Sequence, residues 1–302
     1  MAGARAVKTG AVKTGAVIGG VPISNPDKAW FPDDGITKGD VARFYDQISP
    51  SIMPWLRDRP LTAERCPDGL LGQCFYQKDF PEDRAPTDIP RVTVRASSTG
   101  KDVHYLVGGT KRALLSLANL GCIAMHVMAT RASHLQEPDW LALDMDPMSG
   151  EFADAAQAGL ALRKLLDEHK LRSFPKTSGS RGLHVFLALK PGHTCEQAVA
   201  FAVTLGEELA RREPRLVTTT HSKAARAARV YADPFRNGYM QTIVSPYSVR
   251  RRPHAPVSTP LEWDEVTPKL DPATFNIRTF DKRTAKADPW KELKKSAVRL
   301  PS

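Results

Sequence analysis

Trp140-Leu141-Ala142-Leu143-Asp144-Met145-Asp146-Pro147 is the stretch that decides how the rest of the chain is read. It is an apolar run ending in two carboxylates one residue apart. In an extended strand, side chains at i and i+2 share a face, so Asp144 and Asp146 project together. Two negative charges that close repel, and an apolar strand makes them costlier still. A cation between them removes that cost, and hard oxygen donors suit a divalent one. A lone D-x-D pair is a weak signal, common in surface turns; its place on an apolar strand strengthens it. So does Asp233, which ends a second strand-like run, Arg229-Val230-Tyr231-Ala232-Asp233. Three carboxylates at strand ends can hold two Mg²⁺ or Mn²⁺ ions about 3.5–4 Å apart. The bland alternative for Asp233 is a turn cap before Pro234.

Between these runs lies Lys176-Thr177-Ser178-Gly179-Ser180-Arg181-Gly182-Leu183-His184. Small residues ahead of a strand make a turn whose backbone N–H groups can converge on an anion. Arg181 adds a fork suited to phosphate. His184 alone on an apolar strand is more often a satisfied core residue; beside such a loop it becomes a candidate triphosphate contact. The loop is not a P-loop, because G-x-x-x-x-G-K-[ST] is missing. A basic cluster follows: His221, Lys223, Arg226, Arg229, Arg236, Arg250, Arg251 and Arg252. Near the N-terminus, Lys28, Lys38 and Lys78 flank Phe75 and Tyr76. Aromatics beside lysines can stack on an unpaired base; two core aromatics in a short strand fit the pattern equally, and at most one of the pair is expected to face outward.

The totals agree with a phosphate-rich partner. The 302 residues carry a formal net charge of +10, with 41% apolar content for a core. A surplus this large favours nucleic acid or an anionic membrane. No run approaches the roughly 18 apolar residues of a span, and no secretory signal opens the chain, so the expected location is cytoplasmic. Cys66, Cys74, Cys122 and Cys195 form no C-x-x-C pair, so reduced, partly buried thiols are expected and no zinc site.

Residues 1–20 contain a direct repeat, Ala6-Val7-Lys8-Thr9-Gly10 then Ala11-Val12-Lys13-Thr14-Gly15. They read as a flexible basic tail, with one folded domain over 21–302. Thr37 caps an expected helix through Val41, Phe44, Tyr45 and Ile48, with Pro50 and Pro54 breaking or restarting it. Further helices are expected over 110–120, 152–170, 194–212 and, briefly, 290–298. Strands are expected over 122–128, 182–189, 229–233 and 239–244. Interleaved strands and helices make the class α/β or α+β.

The ordered blocks resemble a known family. They are Asn25-Pro26-Asp27-Lys28, Gly35-Ile36-Thr37-Lys38, Phe75-Tyr76-Gln77-Lys78, Leu143 to Pro147, Thr177 to His184, Asp233-Pro234-Phe235-Arg236-Asn237 and Pro246-Tyr247-Ser248-Val249-Arg250. Together they resemble the polymerase domain of bacterial DNA ligase D, of the archaeo-eukaryotic primase (primase-polymerase) superfamily. The resemblance implies a mixed β-sheet core flanked by helices and a template-dependent nucleotidyltransferase. It implies that Asp144, Asp146 and Asp233 are catalytic metal ligands for Mn²⁺ or Mg²⁺. Ser178, Ser180, Arg181, His184, Arg226, Arg250 and His126 would then bind the nucleoside triphosphate. Asn25, Lys28 and Lys38 would hold a downstream DNA 5′-phosphate at a gap or break, and Phe75 and Tyr76 would stack on the template. A ribonucleotide preference, a partner ligase and the Ku ring are implied in the same way, as is a bacterial, nucleoid-associated setting. Arg181 stands where lysine is common, and Pro234 replaces a common tryptophan. No ligase module follows, and Met1 favours a stand-alone member, in end joining or excision repair. Two other classes fit the bare residues: a non-catalytic bridging module for DNA ends or gaps, and a metal-dependent phosphohydrolase.

Overall fold

The computed structural model describes residues 15–96, 99–284 and 287–301. In chain order the strands and helices are β1 (Ala16–Ile18), β2 (Val21–Ile23), β3 (Ala29–Phe31), β4 (Ile36–Thr37), α1 (Lys38–Leu56), β5 (Arg59–Arg65), β6 (Phe75–Gln77), β7 (Arg91–Arg95), β8 (Asp102–Gly108), α2 (Lys111–Asn119), β9 (Cys122–Val127), β10 (Thr130–Arg131) and β11 (His134–Pro138). There follow β12 (Trp140–Pro147), α3 (Phe152–Glu168), β13 (Phe174–Thr177), β14 (Leu183–Ala188), α4 (Cys195–Arg212), β15 (Val217–Thr218), β16 (Val230–Asp233), β17 (Ile243–Val244) and the short α5 (Asp281–Thr284).

The expected mixed class holds, and its core is shared between two sheets. One has the order β13-β14-β12-β16-β15, antiparallel except for the parallel β15–β16 pair. The other runs β17-β9-β5-β8-β7, with β6 added to β5. Strand alternation explains how they fit. On β12, Leu141, Leu143 and Met145 point to the face covered by α3 and α4. Trp140 and Ala142 point the other way, into a core shared with Leu61 and Ala63 of β5 and Met125 of β9. Asp144 and Asp146 continue that second face beyond the apolar part, where the space between the sheets opens.

Several local expectations need correction. Folding starts before residue 21, because β1 pairs with β2 as Ala16↔Ile23 and Ile18↔Val21. Gly19 and Gly20 sit at positive φ, 55° and 81°, which is what a two-residue hairpin turn of this hand requires. Residues 1–14, with nearly all of the direct repeat, lie outside the described residues. Helix α1 runs through Pro50 and Pro54 without a break. Pro50 has no N–H for the Asp46 carbonyl oxygen, and the Ser49 hydroxyl donates to it instead, at 2.8 Å. The strand expected over 239–244 shrinks to Ile243–Val244, since Met240 takes a positive φ and Gln241 closes a turn onto Gly238. The helix expected over 290–298 is a single 3₁₀ turn at Lys294–Ser296.

The cysteines also differ from expectation. Cys66 and Cys74 form a disulfide, while Cys122 and Cys195 are free and buried. The hairpin register brings the pair together: Glu64 faces Tyr76 and Arg65 faces Phe75, so the next residues along, Cys66 and Cys74, also oppose each other. Among the described residues no helix is long and apolar enough to cross a membrane.

Candidate active site

The strand ladder places the three aspartates. Asp144 on β12 lies directly across from Asp233 on β16 and, on the other side, directly across from His184 on β14. Asp146 faces Tyr231 on β16. Opposed residues share a face, so all three carboxylates line one patch. His184 Nε2 stands 3.2 Å from Asp144 Oδ1; facing a carboxylate, that is the nitrogen which carries the proton. Asp233 Oδ1 accepts the Phe235 N–H at 2.9 Å, and Oδ2 lies 3.2 Å from Arg236 Nε.

Charge crowding appears in the titration of these groups. Burial works to raise the Asp144 carboxyl, but the His184 contact and the positive charges of Arg236 and Lys176 outweigh it and hold it low. Burial raises Asp146, and the neighbouring negative charge of Asp144 raises it further. Burial and the charge of Lys176 push His184 down to about 4, so it is neutral near pH 7.

Among the described residues no three His, Cys, Asp or Glu side chains converge into a ready-made cation site. Asp233 turns its oxygens toward Phe235 and Arg236 instead. The donor chemistry still fits hard divalent ions: three carboxylates at adjacent ladder positions, with a mutual repulsion on Asp146 that a cation would relieve.

Asp144 and Asp146 open into a cleft of about 690 Å³ between the sheets, whose lining does not include Asp233. On the β14 side it is lined by Ser178, Ser180, Arg181, Gly182, His184 and Arg250. Ser178 Oγ accepts from Ser180 N at 3.2 Å and Gly182 N at 3.0 Å, so these amides close on the loop's own hydroxyl rather than on an outside anion. Arg250 Nη1 donates to the Ser178 carbonyl oxygen at 2.7 Å, which fixes the loop beside the cleft. Gly179, at φ +69°, permits this approach, because a Cβ there would sit 2.5 Å from Arg250 Cγ. Arg226 is not in the cleft lining. It is buried, stacked 3.6 Å over the Tyr231 ring, with its donors given to the carbonyl oxygens of Thr220 and His221. Its charge still bears on Asp146.

The opposite wall comes from the second sheet. His126 on β9 lines it, edge-on to Tyr76 at 5.4 Å and 4.0 Å from Glu64 Oε2. Phe75 and Tyr76 are both exposed, against the expectation that at most one would be. β6 is a three-residue edge strand whose faces are only partly covered, by Arg65 5.5 Å over Phe75 and by His126 beside Tyr76. Asn25, Lys28 and Lys38 come together at the start of α1. Lys28 N bonds Asn25 O, and Lys38 N bonds Lys28 O. Lys38 Nζ donates to Ser24 Oγ at 3.1 Å and Asn119 Oδ1 at 2.9 Å. Burial and the Lys28 charge lower it to about 8. Lys28 Nζ reaches Pro67 O and Asp68 Oδ1 in the disulfide-closed loop.

Two buried charged residues gained no role from the sequence. Lys176 on β13, across from His184, is fully buried and donates to Ser258 Oγ at 2.6 Å. Glu64 on β5 is buried between Arg251 and His126, whose hydrogen bonds outweigh burial and lower it to about 2. Both stand on short strands of mixed composition, Phe174–Thr177 and Arg59–Arg65, where no sequence signal separates them from ordinary charged residues.

Comparison with known proteins bears directly on this arrangement. Residues 37–290 match the family model described as LigD, primase-polymerase domain. The chain belongs to that family. It is 30% identical over 278 residues to the multifunctional non-homologous end joining protein LigD of Mycolicibacterium smegmatis, covering 90% of this chain and 35% of that protein. To the bifunctional non-homologous end joining protein LigD of Bacillus subtilis it is 32% identical over 262 residues, 86% of this chain and 42% of the relative. The chain therefore spans well under half the length of these curated relatives. Among solved structures, the polymerase domain from Mycobacterium tuberculosis ligase D in complex with DNA superposes with a TM-score of 0.83 at 29% identity, covering 92% of this chain and 99% of that one.

Proposed function

We propose that this LigD-type domain is a template-dependent nucleotidyltransferase that extends a primer 3′-hydroxyl across short gaps or breaks in DNA repair. One observation carries the reading: Asp144, Asp146 and Asp233 share a patch whose neighbouring strand delivers a Ser-Gly-Arg loop and His184. Asp144, Asp146 and Asp233 are the residues that would hold two divalent cations, Mn²⁺ or Mg²⁺. When bound, such ions supply a lowered pKa for the 3′-hydroxyl and counter-charge for the leaving pyrophosphate. Arg181 and Arg250 supply fixed positive charge along the triphosphate, Ser178 shapes the loop, and neutral His184 directs its Nε2–H to Asp144.

The second part of the reading concerns DNA. Asn25, Lys28 and Lys38 take a downstream 5′-phosphate at the N-terminus of α1, where the helix dipole adds to two amines. Phe75 and Tyr76 stack on template bases. Ribonucleotide preference, end joining with a ligase and Ku, and excision-repair gap filling belong to the same proposal.

A gapped duplex with a 5′-phosphate, Mn²⁺ or Mg²⁺ and each nucleoside triphosphate tests it. Extension supports the proposal; retention without chemistry identifies a bridging module, and degradation a phosphohydrolase. Lys28→Ala is expected to weaken binding to 5′-phosphorylated gaps about tenfold, with little change for 5′-hydroxyl gaps. Equal loss on both would reduce Lys28 to a general backbone contact.

A further inference from the structure

The aspartate patch has two flanks, and only one has been given an occupant. The β14 flank carries the Ser178–Arg181 loop, His184 and Arg250, which is phosphate chemistry. The β16 flank is built differently. Tyr231, paired with Asp146, lies on the same face one strand over. Arg226 lies flat on its ring. His221 stands edge-on to Tyr231 at 6.4 Å and edge-on to Phe235 at 6.1 Å. His221 is exposed, Phe235 is 47% exposed and Met148 37% exposed. Exposed Lys223 and half-buried Arg229 border them.

A single exposed aromatic needs no explanation. This one lies two residues after Asp233, on a turn stapled to β12. Asn237 of that turn accepts from Ala142 N at 2.7 Å and donates to Ala142 O at 2.8 Å. The ring is therefore exposed on a backbone turn that is fixed to β12. Exposed aromatics bordered by cations are the surface that unstacked bases select, because every base has a π-face and a charged backbone beside it.

The direction of the reaction assigns the occupant. In phosphoryl transfer the attacking and leaving oxygens lie roughly in line, on opposite sides of the phosphorus. If the leaving pyrophosphate rests on the β14 flank, the 3′-hydroxyl must arrive from the β16 flank. We infer that Phe235 and His221 form the platform for the 3′-terminal base of the primer strand, an inference that rests on the nucleotidyl-transfer reading.

The test uses the full chain and a gapped, 5′-phosphorylated duplex with 2-aminopurine as the terminal primer base, in EDTA and without nucleotide. The wild-type protein is expected to quench that fluorophore by stacking. Phe235→Ala is expected to lose the quench and, with metal and nucleotide added, to raise the KM for primer about tenfold. The KM for nucleotide should stay within about twofold, and Phe235→Trp should restore both signals. A quench undiminished in Phe235→Ala overturns the platform, whatever happens to incorporation. Failure of the wild-type protein to extend any primer strikes the nucleotidyl-transfer reading instead, and the quench then still decides the platform.

Discussion

The two strands that carry the candidate chemistry, β12 and β6, are held in opposite ways. β12 is hydrogen-bonded along both edges and buried on both faces, so its neighbours fix the position of Asp144 from every side. β6 is three residues long, paired only with β5, and leaves Phe75 and Tyr76 open. A metal-assisted step tolerates little misplacement of its ligands. Stacking on a template must accept any base, which an open edge permits. The difference in support therefore matches the difference in precision that the two proposed tasks would require.

Substitution separates the two strands most sharply. Asp144→Asn keeps shape and removes a charge at a position the ladder holds rigid. Single-nucleotide incorporation is expected to fall by about 10³-fold or more, while gapped-DNA affinity measured by gel retention stays close to wild type. Near wild-type extension would remove Asp144 from the chemistry.

On β6 the expected loss is smaller and of a different kind. Phe75→Ala or Tyr76→Ala should each weaken template binding by about tenfold with kcat nearly unchanged. Titration of incorporation against DNA concentration reads the split. If the loss fell on kcat, as is expected for Asp144, β6 would be a positioning strand for the reaction and the contrast between the two strands would collapse.

The same contrast governs what could be read before the structure was known. The Asp144–Asp146 face follows from strand periodicity alone, and Asp233 was found because a strand-like run ends on it. The ladder then supplied what periodicity cannot, the register that sets Asp144 between His184 and Asp233. Thr37 was legible as a helix cap because capping is local. Errors arose where a distant or tertiary partner decides. The Cys66–Cys74 pair needs the β5–β6 register, which eight residues of spacing do not reveal. Pro50 continues a helix because Ser49 takes over one hydrogen bond. Arg226 lies in a basic run, and the sequence could not show that a ring and two carbonyl oxygens hold it in this structure.

The disulfide gives a stability test of the same comparison. It closes a short loop between β5 and β6, far in the chain from β12. Paired Cys66→Ser and Cys74→Ser substitutions are expected to cost roughly 2–3 kcal/mol by loop entropy, read as a lower urea midpoint at constant slope. Nucleotide affinity at the aspartate cleft should be unchanged while 5′-phosphate selectivity weakens, because Pro67 and Asp68 of that loop hold Lys28. A cleft that lost nucleotide affinity equally would show the two regions to be one mechanical unit.

The smallest effect expected is a pH dependence, and its sign is informative. Lys38 loses its proton near 8 in the folded chain, against 10.5 ordinarily, because it is buried beside Lys28. Between those values the unfolded chain holds the proton and the folded chain does not. By linkage, stability contributed by this group rises with pH across that window. Phosphate binding has the opposite slope, since it needs the charged amine and must draw in a proton once pH exceeds 8. The preference for a 5′-phosphate over a 5′-hydroxyl gap is therefore expected to fall a few-fold from pH 7 to pH 9, while resistance to urea does not fall for this reason. Lys38→Met should flatten the selectivity profile, and Lys78→Ala, in the cleft wall, should leave it sloped. A profile that keeps its slope in Lys38→Met would move the titrating group elsewhere and leave Lys28 as the one lysine needed to hold the phosphate.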